Sequence, residues 1–144
     1  MRTLLLTLLI STPVLGNGYG GISIGHHLMS TELNDIHVTL GYQVGNTGVA
    51  LFNNSFNKLS VAAYHNFETR EDKGWSLGCK LGVTTGYQPV THYKGIEYRI
   101  NPSMFIGDLM VVSLPYAKLN IDDTSSIELS LLGDSVNLGY NISF

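Results

Sequence analysis

The chain has 144 residues, a formal net charge of −3 and 13% charged residues. This length fits one domain, and so mild a charge suggests neither a nucleic-acid partner nor a disordered tail. Its single cysteine, Cys79, excludes an intramolecular disulfide framework.

The amino terminus predicts a removable secretory signal. Met1-Arg2-Thr3 carries a positive charge, Leu4 to Ile10 is an apolar run, and Val14-Leu15-Gly16 suits a signal peptidase. We therefore expect residues 1–16 to be a signal peptide and residues 17–144 to form the mature domain. That domain contains no apolar run of about 18 residues, so we expect any membrane crossing to be made by strands.

Alternating apolar and polar residues predict strands along the mature domain. Apolar residues occupy every second position from Ile36 to Tyr42 and again from Trp75 to Val83. The second series continues through Thr85 to Tyr87, so an aromatic residue stands at each of its ends. A tilted strand of about 9 to 11 residues crosses a hydrocarbon layer, and end aromatics are typical of interfacial girdles. Shorter segments around Val61, Tyr98 and Leu129 alternate in the same way.

The opposite face of these strands predicts the interior. Glycines at Gly78, Gly82 and Gly86 either leave room for a ligand or let neighbouring side chains fill a narrow lumen. Charged residues share the inward parity on several strands, and a narrow interior favours opposite-charge contacts among them. These residues are Lys80, Glu97, Arg99 and Glu128.

The last ten residues, 135–144, are the most informative segment. Apolar residues alternate with small or polar ones from Val136 to the terminal Phe144. A closing strand of this kind removes the free edge of a barrel. Its order of polar residue, glycine, apolar residue and terminal aromatic also resembles the C-terminal signal of bacterial outer-membrane proteins.

We therefore predict an all-β fold over residues 17–144, an antiparallel up-and-down transmembrane β-barrel of eight strands in the outer membrane. Its first and last strands should pair. Pro102 and Pro115 interrupt the region between residues 93 and 119, which is compatible with either two or three strands. A soluble periplasmic β-sandwich has the same alternation and remains an alternative.

The alternation of the first strand also predicts which of two adjacent histidines faces the interior. Ile22 and Ile24 define the apolar face of the first strand, which places His27 on the inner face and His26 on the outer one. Two side chains on opposite faces do not predict a metal site, and we expect no metal or cofactor. Ser55 lies in an Asn-rich turn, where serine is usually structural, although a serine with a nearby histidine suits ester chemistry.

The segment Phe52-Asn-Asn-Ser-Phe-Asn-Lys58 resembles the Asp-Ser-Trp-Asn-Lys surface region of the PagP-type outer-membrane lipid A palmitoyltransferases, which are eight-stranded barrels. An upstream strand that ends in a histidine and the glycine-rich strand from Leu77 extend the resemblance over most of the mature chain. In that family an extracellular-side His, Asp and Ser are required to move a palmitoyl group from a phospholipid to lipid A. Carried over, they correspond to His27, Asn54 and Ser55.

The resemblance implies an acyltransferase that acts as a monomer on membrane lipids, namely phospholipid and lipid A. We place its acyl slot along Gly78, Gly82 and Gly86. Two features depart from the family. Asn54 stands where the family has Asp, and it can orient a group by hydrogen bonds but cannot act as a base. Strand-like sequence also begins within a few residues of Asn17, where the family has an amphipathic helix.

The alternative function is a non-catalytic small barrel used for adhesion, surface exclusion or receptor blocking. Its binding loops would lie near Glu68 to Lys73 or Gln88 to Lys94. No nucleic-acid partner is predicted for either function.

Overall fold

The computed structural model describes residues 17–28, 32–69 and 73–144, so the predicted signal peptide lies outside the described residues. The strands in chain order are β1 Asn17–His27, β2 Ile36–Val44, β3 Thr47–Asn53, β4 Leu59–Glu68, β5 Trp75–Thr84, β6 Val90–Tyr93, β7 Ile96–Arg99, β8 Phe105–Ile106, β9 Leu109–Asn120, β10 Ser125–Leu132 and β11 Ser135–Ser143. A single 3-10 turn is described, at Pro102–Met104.

Eight of these strands close into an antiparallel barrel in the order β1-β2-β3-β4-β5-β9-β10-β11. The ring closes because β11 pairs with β1 from Tyr19 opposite Ser143 to His27 opposite Ser135. Backbone hydrogen bonds between Gly18 and Phe144, of 3.0 and 2.8 Å, finish this seam. The predicted fold class, strand number and pairing of the first and last strands are confirmed.

Because successive strands run in opposite directions, each connection lies at one of the two ends of the barrel. The terminal end carries Asn17, Phe144 and the connections β2–β3, β4–β5 and β9–β10. The loop end carries the β1–β2 connection, the β3–β4 turn, the long excursion from residue 85 to 108 and the β10–β11 turn. The two segments expected to bind a partner thus begin at opposite ends, since Glu68 ends β4 at the terminal end and residues 88–94 lie at the loop end.

Burial in this barrel is inverted relative to a soluble protein. Outward Ile24 and Leu138 are 65% and 58% exposed, whereas inward Ser60 and Asn137 are 0% and 6% exposed. A soluble sandwich buries its apolar face, so the closed ring with apolar side chains outside fits lipid instead. Over the described ranges, no helix has the length and apolar character needed to span a membrane.

Tyrosine rings cover glycines of neighbouring strands in the terminal half of the interior. A Cβ at each of these glycines would collide with the ring opposite it. Pairing an aromatic residue with a glycine across two strands accommodates the strong curvature of a small barrel. The pairs are Tyr19 with Gly41, Tyr64 with Gly48, and Tyr116 with Gly78.

The predicted acyl slot along β5 is therefore wrong. Gly78 is covered by Tyr116, and a Cβ at Gly82 would meet the backbone of β4 at Ala63. Gly86 lies beyond the strand and faces Ser60. The glycines make room for neighbouring protein groups, which is the second of the two alternatives that the sequence left open.

The segment from Trp75 to Tyr87 also ends differently from its prediction. Strand β5 stops at Thr84, and Gly86 has a φ of +84°, which turns the chain back over the barrel. Tyr87 is consequently 8% exposed and packs with Phe56 and Met110 rather than at a lipid interface.

Two of the four charges predicted to face the lumen lie elsewhere. Glu97 and Arg99 belong to β7, which pairs with β6 in a separate two-stranded hairpin at the loop end. Their side chains are 40% and 78% exposed. Alternation marks a strand with two different faces, but a four-residue strand is too short to cross a membrane. Lys80 and Glu128 do face the interior, and they form the expected ion pair, 2.9 Å between Nζ and Oε2.

Candidate functional site

An aromatic cluster covers the loop end of the barrel. The ring of Phe56, in the β3–β4 turn, makes edge contacts with Tyr87, Tyr93 and Tyr98, with centroid separations of 5.9, 5.9 and 5.5 Å. Met110 at the start of β9 is buried in the same cluster. Because edge-to-face aromatic contacts are favourable, they hold the β6–β7 hairpin against the barrel.

Two cavities of the interior lie below this cluster. The cavity in the loop half has a volume of about 170 Å³, and its apolar wall includes Ala50, Phe52, Ala62, Val112 and Leu114. The cavity in the terminal half has a volume of about 760 Å³ and is lined mainly by polar groups. We call the layer that borders both cavities the floor. It consists of Tyr19, Tyr64, Lys80, Glu128 and Asn141.

Polar contacts hold the floor in place. The hydroxyls of Tyr19 and Tyr64 are 2.7 Å apart and join β1 to β4. The Lys80 ammonium donates to both oxygens of Glu128 and lies 4.7 Å from the centre of the Tyr116 ring. A paired ammonium over an aromatic face is a favourable arrangement for a charge away from bulk water.

A second polar network lies on the terminal side of the floor and was missed from the sequence. The carboxylate of Glu68 accepts hydrogen bonds from Lys118 at 2.6 Å, Tyr116 at 2.6 Å and Ser76 at 2.7 Å. The sequence predicts Glu68 at the start of a binding loop, whereas it is the last residue of β4. Glu68 has the same parity as the inward-facing residues of β4, and this pattern in the sequence indicates an inward position.

The barrel wall is incompletely paired between β9 and β10. Their ladder runs from Ser126 opposite Asn120 to Ser130 opposite Tyr116 and ends there, although β9 continues to Leu109 and β10 to Leu132. Pro115 comes directly after the last pair and has no N–H to donate. On this side of β9, Leu109 and Met110 pair with β8, so the gap in the wall spans residues 111–115 of β9, while the other edge of β9 stays paired with β5 from Met110 onward.

His27 lies at the loop end, with its side chain in the interior as predicted. The side chain is 3% exposed, and Nδ1 is 3.2 Å from Oδ1 of Asp134. Nε2 has no hydrogen-bond partner among the described residues. Asp134 was not singled out from the sequence because it lies 107 positions from His27 in a Gly-Asp turn.

Ser55 also lies at the loop end and contacts Tyr87. Burial raises the pKa of the Tyr87 phenol, and hydrogen bonds from the hydroxyl and the backbone N–H of Ser55 offset part of this rise. The backbone carbonyl of Ser55 accepts from the N–H of Asn34 at 2.8 Å, which ties the β1–β2 connection to this turn.

Asn54 is fully buried and its side chain is committed to the turn. Its Oδ1 accepts from the N–H groups of Phe56 and Lys58, at 2.9 and 3.0 Å. Its Nδ2 donates to Ser60 Oγ at 3.0 Å and to the carbonyl of Gly86 at 2.9 Å. These four bonds use the donors and acceptors of the amide.

The three carried-over residues thus share one end of the barrel without forming one hydrogen-bonded group. Asn54 and Ser55 are adjacent in the β3–β4 turn, whereas His27 bonds across the β1–β11 seam to Asp134. No hydrogen bond joins the side chains of His27 and Ser55 in the part of the chain that the structure describes. Nor is any group of three His, Cys, Asp or Glu side chains found there that could hold a metal ion.

Comparison with known proteins identifies the fold. No protein-family model matches the chain, and no curated protein matches it. A de novo designed transmembrane β-barrel matches with a TM-score of 0.57 and 11% sequence identity over 90% of this chain and 96% of the designed one. The outer-membrane protein Ail of Yersinia pestis, determined in a phospholipid bilayer nanodisc, has a TM-score of 0.43 and 14% identity over 90% and 99% of the two chains. The chain has the fold of an eight-stranded transmembrane β-barrel.

Proposed function

We propose that this protein is an outer-membrane barrel that takes the acyl chain of a membrane lipid into its loop-half cavity and transfers it from a phospholipid to lipid A. The observation that carries the proposal is the position of the apolar cavity beside the gap between β9 and β10. Val112 and Leu114 on β9 and Leu132 on β10 line that cavity. They therefore flank both sides of the unpaired stretch.

A gap of this kind destabilises the barrel because it leaves backbone groups without hydrogen-bond partners, and this cost favours a functional role for the gap. Unpaired backbone groups at membrane depth have no water to bond, so closed barrels normally pair every strand along its length. An apolar chain that leaves the bilayer through the gap would exchange lipid contacts for contacts with Phe52, Ala62 and Val112. The polar floor would limit its depth, since burying a hydrocarbon against Lys80 and Glu128 gains little.

The side chains at the loop end supply groups for ester chemistry. His27 would act as general base on a hydroxyl of the acceptor through its unpartnered Nε2. Ser55 would turn its hydroxyl from Tyr87 to the ester oxygen and hold that oxygen by a hydrogen bond. Asn54 would act indirectly, because its amide shapes the turn that carries Ser55.

Mass spectrometry of lipid A from cells with and without the protein tests the proposal. We expect an added acyl chain with the natural sequence and its loss in His27→Ala and Ser55→Ala. Heat-modifiable migration of each variant on a gel is the control for folding and insertion. Lipid A of unchanged mass in cells that contain the folded, inserted protein would contradict the transferase.

A second candidate is a non-catalytic barrel that binds a surface partner through the β6–β7 hairpin. The hairpin is packed on the aromatic cluster but exposes Val90 and Ile96, which are 43% and 42% exposed. Replacing both with Ser should abolish partner binding or surface exclusion by whole cells. The mass of lipid A should be the same in cells with the double variant as in cells with the natural sequence. Leu59→Ser, at an exposed position on the barrel wall, is the matched control.

A further inference from the structure

Asp134 and His27 meet where the two ends of the chain close the barrel. Asp134 follows Gly133 in the β10–β11 turn, and its backbone carbonyl accepts from the N–H of Leu28 at 3.0 Å. His27 pairs with Ser135 in the β1–β11 ladder. The two side chains are thus brought together by the closing seam, and their contact exists only in the closed barrel.

The environments of the two side chains differ in a way that suits a supporting carboxylate. The Asp134 side chain is 35% exposed, and that of His27 is 3% exposed. The carboxylate is thus partly hydrated, while the imidazole that it contacts is shielded from water.

The donors and acceptors around the His27 imidazole favour one tautomer. A neutral imidazole has one N–H and one lone pair, and a carboxylate only accepts. The proton therefore belongs on Nδ1, which faces Asp134 Oδ1 at 3.2 Å. Nε2 is left with its lone pair, buried and without a partner among the described residues. Buried polar atoms without partners are rare in native proteins and call for an explanation.

We propose that Asp134 is the positioning residue for His27: it holds the imidazole as the Nδ1–H tautomer, so that Nε2 serves as the base. This inference rests on the proposed acyl transfer. Nε2 takes the proton of an acceptor hydroxyl while that oxygen bonds to the ester carbon. The bond from this carbon to the donor oxygen then breaks, and the imidazolium returns the proton to that leaving oxygen. Asp134 stabilises the transient imidazolium without taking its proton.

The test combines kinetics with nitrogen-15 NMR of histidine-labelled protein in phospholipid nanodiscs. Comparison with His27→Ala assigns the His27 signals. Asp134→Ala removes the acceptor, Asp134→Glu keeps the carboxylate, and Asp108→Ala removes another acidic group from the same end of the barrel. Heat-modifiable migration verifies that each variant is folded.

We expect an Nδ1–H tautomer in the unaltered protein and loss of that preference in Asp134→Ala. The kcat of Asp134→Ala should fall by about 10-fold or more with KM unchanged, up to the roughly 10²- to 10⁴-fold that a general base contributes. Asp134→Glu should recover part of the rate, and Asp108→Ala should match the unaltered protein.

The outcomes separate this inference from the proposed function. An Nε2–H tautomer in the unaltered protein, or full activity of Asp134→Ala in an active background, overturns the role of Asp134 and leaves the transferase standing. Absence of acyl transfer by the unaltered protein overturns the transferase, and the catalytic role of Asp134 with it, even if the tautomer is as expected. A loss of kcat in Asp134→Ala together with a changed tautomer supports both.

Discussion

At the scale of single residues, Asp122 shows how one side chain closes a turn of the barrel. Its Oδ1 accepts from Thr124 N at 2.8 Å and Ser125 N at 2.7 Å, and its Oδ2 accepts from Ser125 Oγ at 2.6 Å. These donors stabilise the carboxylate, the Ser125 hydroxyl most of all, and lower the pKa of Asp122 from 3.8 to about 2. Short polar side chains that bond their own backbone are typical of such turns.

The first prediction follows from this lowered pKa. A carboxylate with a depressed native pKa stabilises the fold above its ordinary pKa of 3.8, and the contribution disappears as the pH falls to about 2. Asp122→Asn should therefore lower the Tm in detergent near neutral pH. It should have no effect on the Tm below about pH 2, where Asp122 itself is protonated. Asp123→Asn is the control, expected to leave Tm unchanged. An Asp122→Asn difference that stays constant from neutral to acid pH would contradict the assignment.

The second prediction concerns the two faces of β11. Leu138 is 58% exposed on the outer face, whereas Asn137 is 6% exposed and bonds within the interior to Ser135. Leu138→Arg should lower the free energy of unfolding in lipid vesicles by about 2 to 4 kcal/mol near the midplane. Asn137→Ser keeps a polar group inside and should be mild. Equal effects of the two substitutions would show that Leu138 does not face lipid.

At the scale of strands, the long alternating segments were predictable and the excursion between β5 and β9 was not. The observed bounds of β2 and β11 lie within one residue of the alternation around Leu40 and Leu138, because one face of each strand is uniformly apolar. β7 has the same alternation, yet it pairs locally with β6 across a turn at Lys94 and Gly95, which have φ values of +49° and +80°.

Side-chain contacts across the interior were predictable only in part. Parity placed Lys80 and Glu128 inside, and two opposite charges in a narrow space have reason to pair. Parity also placed His27 inside. Its contact with Asp134 depends on the register of β1 against β11, which no local pattern specifies. Nor could local sequence reveal that the amide of Asn54 is fully used within its turn.

The third prediction tests the ion pair between β5 and β10. The Lys80 and Glu128 side chains are 23% and 11% exposed, so removing one partner leaves the other poorly solvated. Lys80→Met and Glu128→Gln should each destabilise the barrel, and the double variant should be less destabilised than the sum. A coupling of about 0.5 to 3 kcal/mol is expected from unfolding free energies in vesicles. Strict additivity would mean that the pair contributes no interaction energy.

The fourth prediction uses the two faces of β4 to test the apolar cavity. Ala62 lines the cavity and is 9% exposed, whereas its neighbour Ala63 points outward. Ala62→Leu should fill the space proposed for an acyl chain and reduce the proposed transfer, at a folding cost of about 1 to 3 kcal/mol. Ala63→Leu adds the same volume on the lipid side and should leave transfer unchanged. Equal activity of the two variants would place the acyl chain elsewhere.

At the scale of the whole molecule, the floor separates the two ends of the barrel. The Tyr19–Tyr64 hydrogen bond and the Lys80–Glu128 pair lie between a largely apolar cavity and a polar one. An ion that crossed would have to displace both sets of contacts. The floor therefore predicts a barrel interior that does not conduct ions.

The fifth prediction follows from this division. The purified protein should show no steady ion conductance in planar bilayers. Tyr19→Ala combined with Tyr64→Ala removes both rings from the floor and should produce measurable conductance. Tyr140→Ala, at an outward-facing position, is the control and should stay silent. A steady current through the unaltered protein would show that the floor does not seal the lumen.

The tyrosine–glycine pairs of the terminal half also constrain how the sequence can diverge. Because Tyr116 occupies the space above Gly78, a larger residue at 78 is compatible with the barrel only if the ring at 116 is lost or moved. Relatives of this chain should therefore change these two positions together, although they lie on different strands. Such paired exchanges would reveal the strand register of a distant relative whose overall sequence identity is too low to align.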